Sequence, residues 1–272
     1  MATSQTTRAT RGVSQDSLLI RKCQGLEEMR ACVALQKEIW NFADIDLVPL
    51  RMFVVGEKIG GQVIGAFDQG ELVGFAFAVA GLRRGHSFLH SQMLAVRQQY
   101  RNCGLGRRLK LFQREDALAR GVELMEWTFD PLEIKNAYLN IEKLGAIVRR
   151  YHTNLYGVTS SVLQGGLPTD RLVAEWWLKS KRVETLLANG VKPSFQALAA
   201  ISVPAEIYDW RAKPETRSQA QAVQDRNREG FLKAFAGGLA VLGYERDAQG
   251  NGRFLLGRWE EEWGIGSLEG SK

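Results

Sequence analysis

A short segment near the middle of the chain has the composition of an anion-binding loop. An apolar stretch, Leu94–Val96, is followed by Arg101-Asn102-Cys103-Gly104-Leu105-Gly106 and then by Arg107 and Arg108. A helix N-terminus offers unpaired N–H groups and the positive end of a dipole, which together attract phosphate. Glycines at 104 and 106 let the backbone approach a ligand closely, and the arginines can add charge-assisted hydrogen bonds. The segment therefore predicts a phosphate-binding loop at the start of a helix.

Two common nucleotide loops do not fit this segment. The P-loop pattern needs a lysine and then Ser or Thr after its last glycine, whereas Gly106 is followed by Arg107. The dinucleotide pattern GxGxxG needs a third glycine, where this sequence has Leu109. The dinucleotide loop also follows the first strand of its fold, whereas this one comes after about five elements. Both alternatives are excluded.

Hydrophobic periodicity predicts the elements that position the loop. In the N-terminal part they are a strand at 18–22, a helix at 26–40, an ambiguous segment at 50–55, strands at 61–67, 71–80 and 87–96, a helix at 104–120, a strand at 122–129, a short helix at 136–144 and an extended segment at 146–156. Asp68-Gln69-Gly70 is typical of a hairpin turn. This mixed order of strands and helices predicts an α+β (α/β) fold with a mixed sheet.

The C-terminal part is less regular. It is expected to contain a strand at 171–178, an extended segment at 200–210, a long helix at 217–242 and a final strand at 252–259. A Ser- and Gly-rich stretch at 160–170 is the best linker between the two parts. The expected organisation is a disordered tail at 1–17, a main domain at 18–160, and a C-terminal β-α-β extension at 171–265 that packs on it.

Composition narrows the function classes. The net charge is +6, but the basic residues are dispersed, so neither nucleic acid nor a membrane surface is an expected partner. The three cysteines form no CxxC pair, which predicts reduced thiols, no metal site and a cytoplasmic location. The first 17 residues lack the apolar core of a signal peptide. No apolar run approaches the ~20 residues that span a bilayer.

The motif Arg101-x-x-Gly104-x-Gly106 resembles the coenzyme A loop of the GNAT acyltransferase superfamily. The strand before it, the helix after it and the Asp-Pro end of the next strand are similar as well. A second segment, Asn136 to Ala146, resembles the later helix of that family, which carries Asn and ends in Lys-x-Gly. The resemblance covers residues 18–157. It implies a mixed, mostly antiparallel twisted sheet flanked by helices, with acetyl-CoA or another acyl-CoA as co-substrate and no metal.

The resemblance also implies how the cofactor is held. The main chain of Leu94, Ala95 and Val96 is expected to supply N–H groups to the pantetheine and the thioester carbonyl. Asn136 lies on the helix expected beside the cofactor. The residues expected at the pyrophosphate are Arg101, Asn102, Cys103, Gly104, Leu105, Gly106 and Arg107.

Acyl transfer to an amine needs a base with a pKa near neutrality. His90, on the strand leading to the loop, is the best candidate because of its natural pKa. Glu126 on the next strand and Asp130 at its end are alternatives, and His152 is a weaker choice. Cys103 has no patterned His or Asn/Asp partner, which argues against a nucleophilic role.

The resemblance also concerns the general acid. In the family a tyrosine at the position of Ile141 commonly protonates the departing thiolate. Tyr138 lies one helical turn earlier and is the substitute expected here, with Tyr156 as a second candidate.

These residues predict an acyl-CoA-dependent N-acyltransferase, with an acetyl or succinyl donor and direct transfer through a tetrahedral intermediate. The expected acceptor is the amine of a small molecule such as an amino acid, whose carboxylate Arg83, Arg84 or Arg149 can bind. The sequence leaves a homodimer open. The alternative is a protein that binds or senses acyl-CoA without turnover, which the missing tyrosine at position 141 favours.

Overall fold

The structure is a computed structural model that describes residues 18–157 and 164–259. Its strands are β1 (Leu19–Lys22), β2 (Gln62–Asp68), β3 (Glu71–Arg83), β4 (His86–Val96), β5 (Leu124–Phe129), β6 (Ile147–His152), β7 (Arg171–Trp177), β8 (Ala199–Val203), β9 (Leu239–Arg246) and β10 (Gly252–Arg258). Its α-helices are α1 (Gly25–Trp40), α2 (Leu50–Lys58), α3 (Leu105–Ala119), α4 (Ile134–Tyr138), α5 (Lys181–Asn189), α6 (Ile207–Ala212) and α7 (Arg217–Ala236). The predicted tail at 1–17 and residues 260–265 of the predicted extension lie outside the described residues.

One ten-stranded sheet runs through both parts of the chain, in the order β1-β2-β3-β4-β5-β7-β6-β9-β10-β8. Within the described strands, β4 and β5 form the only parallel pair. A parallel pair needs a crossover between its strands, and α3 provides it. The predicted mixed, mostly antiparallel sheet flanked by helices is confirmed.

Two tight hairpins fix the register of the first half of the sheet. Between β2 and β3, Gln69 and Gly70 have φ values of 49° and 88°. Between β3 and β4, Arg84 and Gly85 have φ values of 50° and 81°. Two successive residues with positive φ are the signature of a type I′ turn, whose twist matches that of the strands it joins. The hairpin expected at residues 68–70 is therefore present.

Helices cover the two faces of this half. Phe75 and Phe77 of β3 pack with Phe53 of α2, at ring-centroid distances of 5.8 and 4.6 Å. Ala76 lies on the opposite face, in the apolar cluster that also contains Leu109 of α3. The face of β3 and β4 turned towards α1 and α2 is called the α1/α2 face below, and the other is called the α3 face. No described helix is long and apolar enough to cross a membrane.

The C-terminal part is built into the sheet. β7 pairs antiparallel with β5 on one side and with β6 on the other. The boundary expected between residues 160 and 171 therefore falls inside one continuous sheet. The extension also contains more elements than the predicted β-α-β unit.

Two predictions for the extension need correction, and one helix was missed. The segment predicted as extended at 200–210 is a strand only to Val203 and then turns into α6. The helix predicted over 217–242 ends at Ala236, because Gly237 and Gly238 follow, the latter with a φ of 75°. The apolar run after them forms β9 rather than another helical turn. Helix α5 was not predicted.

Candidate active site

β4 and β5 separate soon after they pair. Their parallel register contains only two residue pairs, Leu89 with Met125 and His90 with Glu126. Beyond these, β4 runs on to Val96 without a partner on its β5 side. A wedge-shaped cleft therefore opens between the two strands, closed at His90 and Glu126 and open towards the end of β4.

A β-bulge on β4 lies at the start of this cleft. Ser91 is opposite Ala78 on β3 and Met93 is opposite Phe77, so Gln92 is an extra residue. A bulge bends its strand and increases the local twist. The bend contributes to the separation of β4 from β5.

The backbone of β4 along the cleft is the segment predicted to hold pantetheine. Leu94, Ala95 and Val96 pair with β3 on one side only. Their remaining backbone groups on the β5 side have no strand partner. This segment can thus offer main-chain hydrogen bonds to an extended ligand, as a missing strand would.

The predicted phosphate loop leads from the open end of the cleft into α3. Gly104 is the N-cap of α3, with a φ of 80° and no side chain capping the first turn. The first turn contains no acidic residue. A Cβ at Gly104 would meet nothing within 4 Å, and one at Gly106 would lie 3.6 Å from Leu94. Packing therefore leaves the space in front of this helix N-terminus free.

The side chains of the loop have different surroundings. Arg101 Nε donates to the carbonyl of Val96 at 3.0 Å, which places it at the end of β4. Arg107 Nε donates to the carbonyl of Lys143 at 3.4 Å. Arg108 reaches away from the loop to the carbonyl of Leu18 at 3.1 Å.

The other predicted cofactor residues of the loop contribute mainly through their backbone. Asn102 is exposed and has a φ of 62°. The thiol of Cys103 donates to the carbonyl of Tyr100 at 2.8 Å. Leu105 is buried in the core, so only its N–H can face a ligand.

His90 and Glu126, the two predicted bases, meet at the closed end of the cleft. Register partners on neighbouring strands project from the same face, here the α1/α2 face. Glu126 is 2% exposed and takes a bidentate pair of hydrogen bonds from Arg83, both 2.8 Å long. Arg150 of β6 also donates to Glu126.

The ion pairs continue along the α1/α2 face onto the next strands. Arg150 Nε lies 3.3 Å from Glu175 of β7, and Arg149 Nη2 lies 2.7 Å from the same carboxylate. The group of Arg83, Arg149, Arg150, Glu126 and Glu175 is called the arginine cluster below. The glutamates are buried, whereas the arginines are partly exposed.

The pKa values of the two candidate bases are both lowered. Burial acts to raise the pKa of Glu126, but the hydrogen bonds and charges of Arg83 and Arg150 outweigh it. For His90, burial is the largest cause and lowers the pKa. The charge of Glu126 opposes it, and the charges of Lys110, Arg83 and Arg150 act with it. His90 is therefore neutral at neutral pH and able to accept a proton.

A buried lysine lies under the same point of the cleft, on the α3 face. Lys110 of α3 is 2% exposed, and its Nζ donates to Ser91 Oγ at 2.7 Å. The same nitrogen lies 3.7 Å from the centre of the Trp127 ring. Burial holds the pKa of Lys110 well below the usual lysine value. Nothing in the sequence distinguishes Lys110 from its basic neighbours Arg107 and Arg108.

The candidate acids lie apart. Ile141 is fully buried in the core. Tyr138 lies against Lys143 and Arg246, with the cations 5.2 and 5.9 Å from its ring centre, so it is turned towards the C-terminal extension. Asn136 is exposed on the same helix, which continues as a π-helix over Leu139–Lys143.

Tyr156 is the candidate acid that lies beside β5. Its hydroxyl is 2.8 Å from Oγ1 of Thr128, two residues beyond Glu126. Asp130 accepts from the N–H of Leu132 and pairs with Arg211, which ties the end of β5 to α6. His152 is exposed at the end of β6. Among the described residues, no group of His, Cys, Asp and Glu is arranged to hold a metal ion.

Residues 27–139 match the model of the Acetyltransferase (GNAT) family. This part of the chain is similar to a GNAT acetyltransferase domain. The matched residues of the GNAT domain include the cleft, the loop, His90 and Glu126. Tyr156 and the β6 and β7 members of the arginine cluster lie beyond it. A comparison with curated proteins found no match.

Several solved structures are similar to part of this chain. A GNAT family acetyltransferase from Streptococcus pneumoniae has 18% identity and a TM-score of 0.47, covering 58% of this chain and 98% of that one. The ribosomal-protein-alanine N-acetyltransferase from Brucella melitensis has 21% identity and a TM-score of 0.46, with the same coverage. A GNAT family acetyltransferase from Elizabethkingia anophelis, solved with acetyl-CoA bound, has 13% identity and a TM-score of 0.44, covering 60% of this chain and 99% of that one.

Proposed function

We propose that the protein is an acyl-CoA-dependent N-acyltransferase that uses an acetyl or succinyl donor and acylates the amine of a small molecule. One observation carries the proposal. The cleft between β4 and β5 opens directly onto the uncapped N-terminus of α3, in a domain of the acetyltransferase family. An extended arm ending in a pyrophosphate matches this combination, because the strand edge pairs with amides and the helix end with phosphate.

The cofactor fits the site in one direction. The pyrophosphate lies at the N–H groups of Asn102 to Arg107, with Arg101 beside it. The pantetheine follows the free edge of Leu94, Ala95 and Val96 into the cleft, and Asn136 marks the helix on its other side. The thioester then points towards the closed end, near His90 and Glu126.

His90 is the better of the two bases. Its pKa is lowered mainly by burial, so it is neutral and can remove a proton from the acceptor ammonium, directly or through a water. Glu126 is held ionised by two arginines and orients them rather than exchanging a proton. The amine attacks the thioester carbon, and the tetrahedral intermediate then expels the CoA thiolate.

The proton donor to the thiolate is Tyr156 or Tyr138. Tyr156 is favoured by its hydrogen bond to Thr128, on the face that carries Glu126. Tyr138 faces Arg246 instead. A thiolate can also leave without a proton, so this step is less demanding than deprotonation of the amine.

The arginine cluster supports an acceptor that carries a carboxylate, such as an amino acid. It lies on the α1/α2 face beside His90 and keeps its arginines partly exposed. A bound carboxylate would place the neighbouring amine over the closed end of the cleft. Guanidinium groups held by buried carboxylates are preorganised to bind an anion bidentately.

A thermal-shift measurement with free CoA, acetyl-CoA and succinyl-CoA tests the cofactor site. Ligand that binds only the folded protein raises the melting temperature by mass action. Gly104→Glu should abolish the shift. Gly121→Glu is the matched control, because Gly121 has a φ of 74°, open surroundings and a place at the other end of α3. The absence of a shift with every CoA species would refute the proposal.

Turnover must be measured as well, because a protein that only senses acyl-CoA would also show the shift. Release of free CoA from acetyl-CoA or succinyl-CoA is followed with a panel of amino acids and simple amines. Release that depends on the acceptor supports the enzyme. Binding without any release supports the sensing protein instead.

A further inference from the structure

At the closed end of the cleft lies a buried lysine amine that has no carboxylate partner in the described part of the chain. Lys110 Nζ touches Ser91 and Trp127, which are the first residues after the paired His90 and Glu126 on their strands. The amine therefore lies on the α3 face, under the point where the two strands begin to separate. No carboxylate within residues 18–157 or 164–259 pairs with it.

The partners of Lys110 suit its protonated form. Ser91 Oγ donates its own hydrogen to Gln113 Oε1 at 3.0 Å, so it can only accept from the amine. The face of Trp127 carries the negative part of the ring quadrupole and attracts a cation. Both contacts therefore favour an ammonium group, yet burial without a counter-charge disfavours it. What is missing for a stable ammonium is an anion.

A second buried donor also indicates a missing acceptor. Gln113 is fully buried beside Ser91, and its Nε2 has no hydrogen-bond partner among the described residues. Buried donors in native proteins are nearly always satisfied, so an unpaired one calls for an absent acceptor. One N–H donor without an acceptor and one amine without a counter-charge thus lie around Ser91.

We propose that Lys110 recognises the acyl group of the donor, and that the donor is a CoA thioester whose acyl group ends in a carboxylate. This inference rests on the proposed function. With the pyrophosphate at α3 and the thioester directed inward, the end of the acyl group is the part that meets Lys110. A terminal carboxylate there accepts from the ammonium and supplies the missing counter-charge. An acetyl group ends in a methyl and offers Lys110 nothing.

Binding of such a donor changes one protonation state. Burial lowers the pKa of Lys110 in the empty site, and a bound carboxylate raises it again, so the amine takes up protons from solvent when the carboxylate arrives. The acyl transfer itself is unchanged: the C–N bond forms, the C–S bond breaks, and the carboxylate stays at Lys110. Proton uptake on donor binding is therefore a signature that a merely structural lysine lacks.

Calorimetric titration of the full chain without acceptor tests the proposal. The ligands are succinyl-CoA, butyryl-CoA of equal chain length without a charge, acetyl-CoA and free CoA. Each is titrated in two buffers of different ionisation enthalpy, which gives the number of protons taken up. Succinyl-CoA should bind at least about tenfold more tightly than butyryl-CoA, as expected for a charge-assisted hydrogen bond. Its binding should be accompanied by proton uptake, by linkage.

Lys110→Met should reverse the preference and remove the proton uptake, while the affinity for free CoA stays within about twofold. If the unchanged protein bound succinyl-CoA and butyryl-CoA equally well, or took up no proton, that result alone would overturn the inference. Failure of free CoA to bind would overturn the proposed function itself. Binding of CoA and butyryl-CoA in preference to succinyl-CoA would overturn only the role of Lys110.

Discussion

His90 and Glu126 form the last residue pair of β4 and β5, and both side chains lie on the α1/α2 face of the sheet. One is a neutral imidazole, and the other is a carboxylate held by Arg83 and Arg150. The point where the sheet opens is therefore also the point where an imidazole lies beside a carboxylate held by two arginines. We therefore propose different tasks for two residues that both resemble bases in the sequence.

Replacement of His90 should remove the base. His90→Gln is expected to lower kcat by about 10²-fold or more, the usual contribution of a general base. Burial lowers the pKa of His90 below its ordinary value of 6.5. The rate of the unchanged enzyme should therefore rise with pH below 6.5 and be level above it, and the variant should lack this rise. His86→Gln, at the exposed start of the same strand, is the control, and an unchanged pH profile in His90→Gln would exclude the role.

Replacement of Glu126 should affect stability more than chemistry. Glu126→Gln leaves Arg83 and Arg150 without their shared carboxylate, and we expect a loss of about 2 kcal/mol in the free energy of unfolding. Because the folded pKa of Glu126 is lowered, its contribution is complete above the unfolded value of about 4.3 and is lost as the pH falls below it. The difference between the two proteins in urea unfolding should thus shrink at acidic pH.

Glu123→Gln is the control for this measurement. Glu123 pairs with Lys179 at 2.8 Å just before β5, but both side chains are more than half exposed. Such a pair contributes less than about 1 kcal/mol. If both variants lost the same free energy of unfolding, burial of the arginine cluster would not contribute to stability.

Arg150 is expected to help select the acceptor. Arg150→Gln should raise KM about tenfold or more for an amino acid acceptor, because a charge-assisted hydrogen bond to its carboxylate is lost. The KM for the corresponding amine without a carboxylate should change little. Arg253→Gln, an exposed arginine paired with Glu245 on β10, is the control. Equal effects on both acceptors would mean that Arg150 only supports the fold.

Lys110 should reduce the stability of the empty protein. Lys110→Met removes a buried amine without a counter-charge, and we expect the free energy of unfolding to rise by about 1 kcal/mol, or about 2–4 °C in Tm. Below pH 10 the unfolded chain holds the lysine proton that the folded protein releases, so the gain should increase as the pH falls. Lys179→Met, at an exposed position, is the control. A lower Tm in Lys110→Met would contradict this account.

The sequence predicted the parts of the fold that depend on local signals. The loop at 101–106, the hairpin at 68–70 and the strands around them follow from glycines and from periodicity. The long helix at 217–242 was overestimated because an apolar run after two glycines suits a strand as well as a helix. The position of β7 between β5 and β6 depends on pairing across the whole chain, which no local pattern encodes.

The site was only partly predictable for a similar reason. His90 and Glu126 were identified because their residue types suit acid–base chemistry and their strands were predicted. Lys110 was not, because lysine on a helix is nearly always exposed. Its burial follows from the opposing Ser91 and Trp127, and therefore from tertiary packing. The arrangement of Arg150 and Glu175 likewise exists only because β6 and β7 are neighbours.

The position of β7 also constrains how the protein can be made. β5 and β6 are synthesised well before β7, the strand that pairs with both of them. Neither can form this pairing until Arg171–Trp177 has left the ribosome. During that interval both nascent strands carry unpaired edges, which are templates for association with other chains. The pairing of β5 with β7 also bridges a long stretch of sequence, which makes folding slow. The family match ends at residue 139, but the sheet of that region is completed only by β7, which is translated later. A gene shortened before codon 171 should therefore yield an aggregation-prone fragment.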